Sequence, residues 1–168
     1  MTESHTEDAL KRLRKEVGEL REELGHRDAD ARFSVITTAL AAVLLALTAA
    51  PWFWDDAEYG ERVETAWGMP HYGTFGLIAL VLVLAIAGMT VIYARFSTPT
   101  AGAHWALCGL AVVCGLVLLL LPRSVHEEAL TSGSGLWLTV VAAFVLAGLH
   151  GTHGDVLRSR RSARALRY

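Results

Sequence analysis

The sequence predicts an all-α membrane protein, a four-span transmembrane helix bundle preceded by a cytoplasmic N-terminal amphipathic helix of short coiled-coil character. Three observations carry this. The 168 residues are 53% hydrophobic. No Asp, Glu, Lys or Arg falls within 33–54, 65–94, 96–122 or 129–154, and each stretch exceeds the roughly 20 residues a helix needs to cross a bilayer. The basic residues are also segregated: seven lie in 1–32, one in 95–104 and five in 151–168, with only Arg62 and Arg123 elsewhere. The positive-inside rule then places both termini in the cytoplasm of a multi-pass cell-membrane protein, and an even number of spans follows. This composition excludes a soluble globular domain and a disordered chain. The net charge of −2 is a cancellation between an acidic outer face and an arginine-rich inner one.

The N-terminal segment, 1–32, carries Leu10, Leu13, Val17, Leu20 and Leu24 at spacings of three and four, the a/d pattern of a helix that pairs with another helix. Ser4 and Glu7 have the spacing of a capping box. In this register Glu16 at g faces Arg21 at the following e of a parallel partner, while the next such pair, Glu23 and Asp28, is repulsive. Membrane tethering raises the local concentration of partner helices and offsets the short length of the seam. An in-plane lipid-binding helix is disfavoured, because Glu16, Glu19, Glu22 and Glu23 interrupt the basic face it would need.

The transmembrane domain is expected over 33–154, with spans at 33–54, 72–94, 105–121 and 135–152. The first lies between Arg32 and Asp55. Thr48-Ala49-Ala50 has the small residues of a signal-peptidase site, but Pro51 follows directly and 32 residues precede the apolar run, so a retained span is expected. The second contains eleven Leu, Ile, Val or Phe residues, which favour insertion by about 3–7 kcal/mol. The third stops at Pro122. Trp52, Trp54, Tyr72, Trp105 and Trp137 fall at headgroup level, where amphipathic rings anchor.

Lipid tails are as apolar as leucine, so packing between spans needs close backbone approach across small residues. Thr38, Ala42, Ala46 and Ala50 form one such series, Ala143, Ala147 and Gly151 a second, and Ala111 and Gly115 a third. The basic tail, 155–168, with Arg158, Arg160, Arg161, Arg164 and Arg167, is expected to pair with anionic lipid at about 1 kcal/mol per basic residue. It lacks a nucleic-acid recognition motif, so no nucleic-acid partner is expected.

Few residues offer chemistry. His150, His153 and Asp155 lie near the inner end of the fourth span, with His104 on the neighbouring connection. His71, His126, Glu127 and Glu128 lie in the outer loops. Either set could contribute metal ligands, but neither has the paired spacing of a strong zinc signature, and no metal or other cofactor is expected. Cys108 and Cys114 lie in the third span and read as small packing residues. There is no phosphate loop, nucleophile elbow or zinc-protease helix, and no internal repeat of interrupted helices. The spans also lack Asp, Glu, Lys and Arg, the usual marks of ion pathways.

The layout is shared with claudin-like and tetraspanin proteins, but the outer loops lack cysteines and no family is assigned. Thirteen arginines against two lysines, with abundant alanine, point to a high-GC bacterial genome. The expected role is non-enzymatic. It is that of an accessory, scaffold or assembly partner that docks through the N-terminal helix onto a second copy or another membrane protein. The alternative is a subunit of a small oligomeric transporter or channel, with a pore lined by Thr37, Thr38, Thr48, Thr90 or Thr139.

Overall fold

A computed structural model describes residues 2–55, 62–96, 100–125 and 130–165. In chain order it contains α1 (Thr2–Leu47), β1 (Pro51–Asp55), β2 (Arg62–Thr65), a 3-10 helix (Ala66–Tyr72), α2 (Thr74–Phe96), α3 (Ala101–Ser124), β3 (Leu130–Ser132) and α4 (Ser134–Ala165). The fold is mostly helical, with a small sheet that the all-α expectation lacked. Four helices are long and apolar enough to cross a membrane, over Leu10–Leu47, Thr74–Arg95, Ala101–Ser124 and Ser134–Ala163. The 23 residues of α2 rise about 34 Å at 1.5 Å each, which matches the roughly 30 Å of a hydrocarbon core.

The chain divides into two compact units, Met1–Ile36 and Thr37–Tyr168. The first consists of the N-terminal part of α1. Strong helix formers dominate it, and Ser4 lies inside the helix rather than at its cap. Three i,i+4 ion pairs run along it: Lys15–Glu19 at 3.9 Å, Glu23–Arg27 at 3.1 Å and Asp28–Arg32 at 2.8 Å. Each contributes about 0.2–0.5 kcal/mol to the helix.

In the second unit, α1 buries Thr37, Ala41, Leu44 and the following Thr48, residues that share one helical face. Helix α1 ends at Leu47, short of the Trp54 that the charge-free run implied. Pro51 disfavours helical geometry just before it, and the last carbonyls find other donors. The Trp52 indole donates to the Leu47 carbonyl at 2.9 Å, and the Ala66 amide donates to the Thr48 carbonyl at 3.1 Å. Trp52 and Trp54 therefore lie on a strand.

The sheet has the order β2-β1-β3 and is antiparallel throughout. Phe53 pairs with Glu64 on one side and Ser132 on the other, and the register shifts between Pro51 and Phe53. The irregularity at Trp52 disrupts strict alternation, and consecutive Trp52 and Phe53 are both buried. The Gly133 amide closes this corner by donating to the Trp52 carbonyl at 2.7 Å. Strand β1 packs against α4, and the 3-10 helix that follows β2 packs against α2. Asp56, Glu58, Glu61, His126, Glu127, Glu128 and Arg167 lie outside the described residues.

After β2, the 3-10 helix buries Met69, and Gly73 turns the chain at a φ of 112°, a conformation that favours glycine. Only a short connection joins α2 to α3, and the two pack together. Helix α3 continues past Pro122 to Ser124, and α4 continues beyond the expected end at 152 as far as Ala165. The most extensive helix contact is between α3 and α4. It is antiparallel, because Gly115 faces Phe144 while Gly151 faces Cys108 and Gly154 faces Trp105. Large apolar residues elsewhere on these helices, among them Leu77, Val81, Val112, Leu116, Leu138 and Val141, point outward. Such a surface is unusual for a protein in water and suited to lipid.

Gly135 tests the packing at the sheet end. A Cβ there would stand 2.5 Å from the Pro51 carbonyl oxygen and 2.9 Å from the Ala50 Cβ. Gly135→Ala should destabilise the protein by about 1–3 kcal/mol through overpacking against backbone. Gly148→Ala, where a Cβ meets nothing within 4 Å, should be neutral or stabilise by up to about 1 kcal/mol. Unfolding midpoints in mild detergent titrated with a denaturing one compare the two, and equal effects would contradict this packing.

Candidate functional site

The chemistry-bearing side chains gather at the end of the second unit opposite the sheet. Three elements contribute. Helix α2 supplies Thr90 and Tyr93 near its C-terminus, α3 supplies His104 in its first turn, and α4 supplies His150 and His153 one turn apart. Thr90, His104 and His150 are almost completely buried, at 1%, 3% and 2% exposure. Within helices of membrane length, ionisable groups placed in this way mark a functional-site hypothesis by default.

The start of α3 is held by Thr100 and Tyr93. The Thr100 side chain caps the helix by accepting from the Ala103 amide at 3.4 Å, which satisfies one of the donors left over at a helix N-terminus. The Tyr93 phenol oxygen accepts from the Thr100 amide at 2.6 Å. It also lies 3.1 Å from Thr100 Oγ1 and 3.3 Å from the Thr100 carbonyl. One residue of α2 therefore engages the amide, the carbonyl and the hydroxyl of the α3 cap. The Tyr93 ring also meets His104 edge to face, with centroids 5.2 Å apart at 84°.

Across the α3–α4 contact, His104 Nδ1 lies 3.0 Å from His150 Nδ1. On the far side of the His150 ring, Nε2 lies 3.4 Å from Thr90 Oγ1. The His153 ring meets His104 edge-on at 4.7 Å and 76°. A charge on His150 is repelled by charge on either His104 or His153. The close approach depends on small residues nearby. A Cβ at Gly154 would stand 3.2 Å from the Trp105 ring, and one at Gly151 would stand 3.4 Å from Cys108 Sγ.

The Nδ1–Nδ1 contact has a definite chemical content. Two nitrogens 3.0 Å apart make a hydrogen bond only if one carries a proton and the other a lone pair. A neutral pair can satisfy this in two ways, related by exchanging the tautomers of the two rings. If His150 is the donor, its Nε2 accepts from the Thr90 hydroxyl; if His104 is the donor, His150 Nε2–H donates to it. The three side chains thus form a short relay whose direction reverses when both rings exchange tautomers, one proton crossing between the Nδ1 atoms and one Nε2 proton changing ring.

The residues singled out from sequence fall in several environments. His104, His150 and His153 come together as their positions allowed, while Asp155 is exposed on α4 and His71 is exposed on the 3-10 helix. Among the described residues, no group of three or more His, Cys, Asp or Glu is arranged to hold a metal ion. Leu10, Leu13, Val17, Leu20 and Leu24 are all exposed. Ala143 and Ala147 are buried, Thr38, Ala50 and Gly151 are half-buried, and Ala42 and Ala46 are exposed. Thr90, Tyr93 and Thr100 were absent from the sequence reading of this cluster. The one available hint was that Tyr93 and Thr100 flank a connection too short to separate them. No protein-family profile, curated protein or solved structure matches the chain.

The Tyr93 and Thr100 contacts predict separable effects on hydrogen exchange. Tyr93→Phe should speed exchange at the Thr100 amide about fivefold, for a net loss of about 1 kcal/mol. Thr100→Ala should act first at the Ala103 amide and destabilise α3 by about 0.5–2 kcal/mol. Unchanged protection of both amides would show that Tyr93 and Thr100 do not hold this end of α3.

Proposed function

We propose that this chain is a multi-pass protein of the cell membrane, a four-helix bundle with both termini in the cytoplasm. It acts as a non-enzymatic accessory, scaffold or assembly partner that docks through its N-terminal helix. One observation carries the reading. The seam of Leu10, Leu13, Val17, Leu20 and Leu24 is between 57% and 64% exposed on every member, on a helix continuous with the first membrane-length segment. A heptad seam of this kind is satisfied by a second helix.

The occupant that fits best is a second copy of the chain. Copies inserted in the same orientation present their N-terminal helices in parallel, the arrangement in which Glu16 meets Arg21. The other g–e pair, Glu23 and Asp28, would repel. Each of those carboxylates, however, already has an arginine of its own helix against it, Arg27 at 3.1 Å and Arg32 at 2.8 Å. The internal pairs reduce the repulsion that argued against a parallel dimer. The bipartite distribution of basic residues supports the orientation. Arg158, Arg160 and Arg161 extend along the C-terminal part of α4, suited to anionic headgroups at that surface.

The competing reading is a transporter or channel subunit. Thr48 and Thr139, two of its candidate pore residues, spend their hydroxyls on carbonyls of their own helices, Leu45 at 2.7 Å and Gly135 at 2.6 Å. Thr37 and Thr90 are buried within the chain. These placements favour the scaffold reading.

Leu13→Asp combined with Leu20→Asp should convert a dimer in mild detergent to a monomer, read by light scattering with the detergent mass subtracted, while helix content stays unchanged. An unchanged oligomer would exclude the N-terminal seam as the docking element. The wild-type protein in liposomes should pass no ion or small solute above the lipid background. Flux would favour the channel reading instead.

A further inference from the structure

We propose that His104 and His150 form a single-proton site between α3 and α4, holding the two helices together while one proton lies between their Nδ1 atoms and releasing them when a second is taken up. The site is independent of the N-terminal seam and of any partner.

Proton counting leads to this directly. The neutral pair carries one proton between the two Nδ1 atoms and one on the Nε2 of whichever ring accepts. A further proton can be added without disturbing the contact, at the unprotonated Nε2 of the donor ring. When His150 is the donor, that Nε2 lies 3.4 Å from Thr90 Oγ1, and the new N–H has a hydroxyl oxygen to meet. The pair then carries one positive charge and keeps its hydrogen bond. Adding one more proton would put an N–H on both Nδ1 atoms at a separation of 3.0 Å, where two donors face each other and no acceptor lies between them. The doubly charged pair is therefore incompatible with the α3–α4 contact as it stands.

The surroundings reinforce this limit. From α4, His153 brings a third imidazole 4.7 Å from the His104 ring, and a charge on it also repels one on His150. From α2, the Tyr93 ring packs edge to face with His104 while its hydroxyl is engaged with Thr100. From α3, Cys108 lies one turn further along against Gly151. Asp155 and Arg95, the nearest charged residues along α4 and α2, are exposed.

The sign of the linkage follows. The separated helices can bind one proton more than the closed pair, so falling pH favours separation, and the closed form is favoured above the range in which imidazole titrates. The readout is a local loosening of the α3 N-terminus from the middle of α4. The other end, under the sheet, carries no histidine of this pair and should not respond.

The test uses the full chain in lipid nanodiscs with isotope-labelled histidine and 5-fluorotryptophan. Gly151→Cys places a second thiol beside native Cys108, because a Cβ at position 151 stands 3.4 Å from Cys108 Sγ. Oxidation should then lock α3 to α4. Between about pH 8 and about pH 5, the span over which histidine changes charge, histidine resonances should show both His104 and His150 becoming charged in the unlocked protein. In the locked protein the pair should take up about one proton fewer. The Trp105 fluorine resonance, identified by its loss in Trp105→Phe, should move with acid in the unlocked protein and stay fixed in the locked one, while that of Trp52 in the sheet, identified by its loss in Trp52→Phe, stays fixed in both. Equal proton uptake with and without the lock would overturn the proposal, as would a Trp105 resonance indifferent to pH while both histidines charge. Failure of the disulfide to form would also overturn it, because the helix contact on which the count depends would be absent.

Discussion

Backbone amides and carbonyls that leave water without a partner cost several kcal/mol each in a hydrocarbon environment, and most of this structure follows from that constraint. Within the apolar runs, the only local solution open to a single segment is the helix, and four helices of membrane length result. The demand is sharpest where a helix ends. At the end of α1, Leu47 and Thr48 hand their carbonyls to the Trp52 indole and the Ala66 amide. At the start of α3, the Thr100 hydroxyl and the Tyr93 phenol take over. Even the three-stranded sheet serves this end, because pairing β1 on both edges satisfies a segment that could no longer continue as helix.

Between helices that lie in lipid, the driving force is close approach rather than exclusion of water. The α3–α4 contact shows how few residues set it. Gly115 and Gly154 stand where a Cβ would press on Phe144 and Trp105, and at Gly151 a Cβ would just touch Cys108. Because the two helices are antiparallel, setting their distance at these points also sets which residue of α3 meets which residue of α4 beside them. The 3.0 Å approach of two imidazoles is thus a consequence of glycine packing along the same interface. The polar site and the apolar seam are one structure.

The membrane-length helices were legible because charge is so costly in lipid that its absence over long runs leaves few other readings. The end of α1 was not, since Pro51-Trp52-Phe53-Trp54 is as apolar as the helix before it and differs only in how its backbone bonds. The pairing of β1 with β2 and β3 involves residues far apart in the chain, and no local period announces it. Helix rotation was partly hidden as well. The small residues of α1 fall at Thr38, Ala42, Ala46 and Ala50, whereas its buried face runs through Thr37, Ala41, Leu44 and Thr48, about one residue around the helix. For the histidines, the i,i+3 spacing of His150 and His153 and the position of His104 on a neighbouring connection were visible. Thr90 and Tyr93 were not, because their part in the cluster depends on how α2 is rotated against α3, which only tertiary packing decides.

The location of the pair gives it leverage over the helix arrangement. His104 lies in the first turn of α3, the turn that Tyr93 and Thr100 also hold, while His150 lies well inside α4 rather than at its end. A change in their contact therefore acts on the first turn of one helix against the middle of another. At the opposite end, α4 meets β1 of a sheet that carries buried Trp52 and Phe53. Stability within a fold is uneven, and opening is drawn from its weaker regions. On the proposal above, helix α3 responds at its histidine end. Burying two imidazoles there makes that response depend on protons, whereas an apolar pair of similar size would close the same gap without any such dependence.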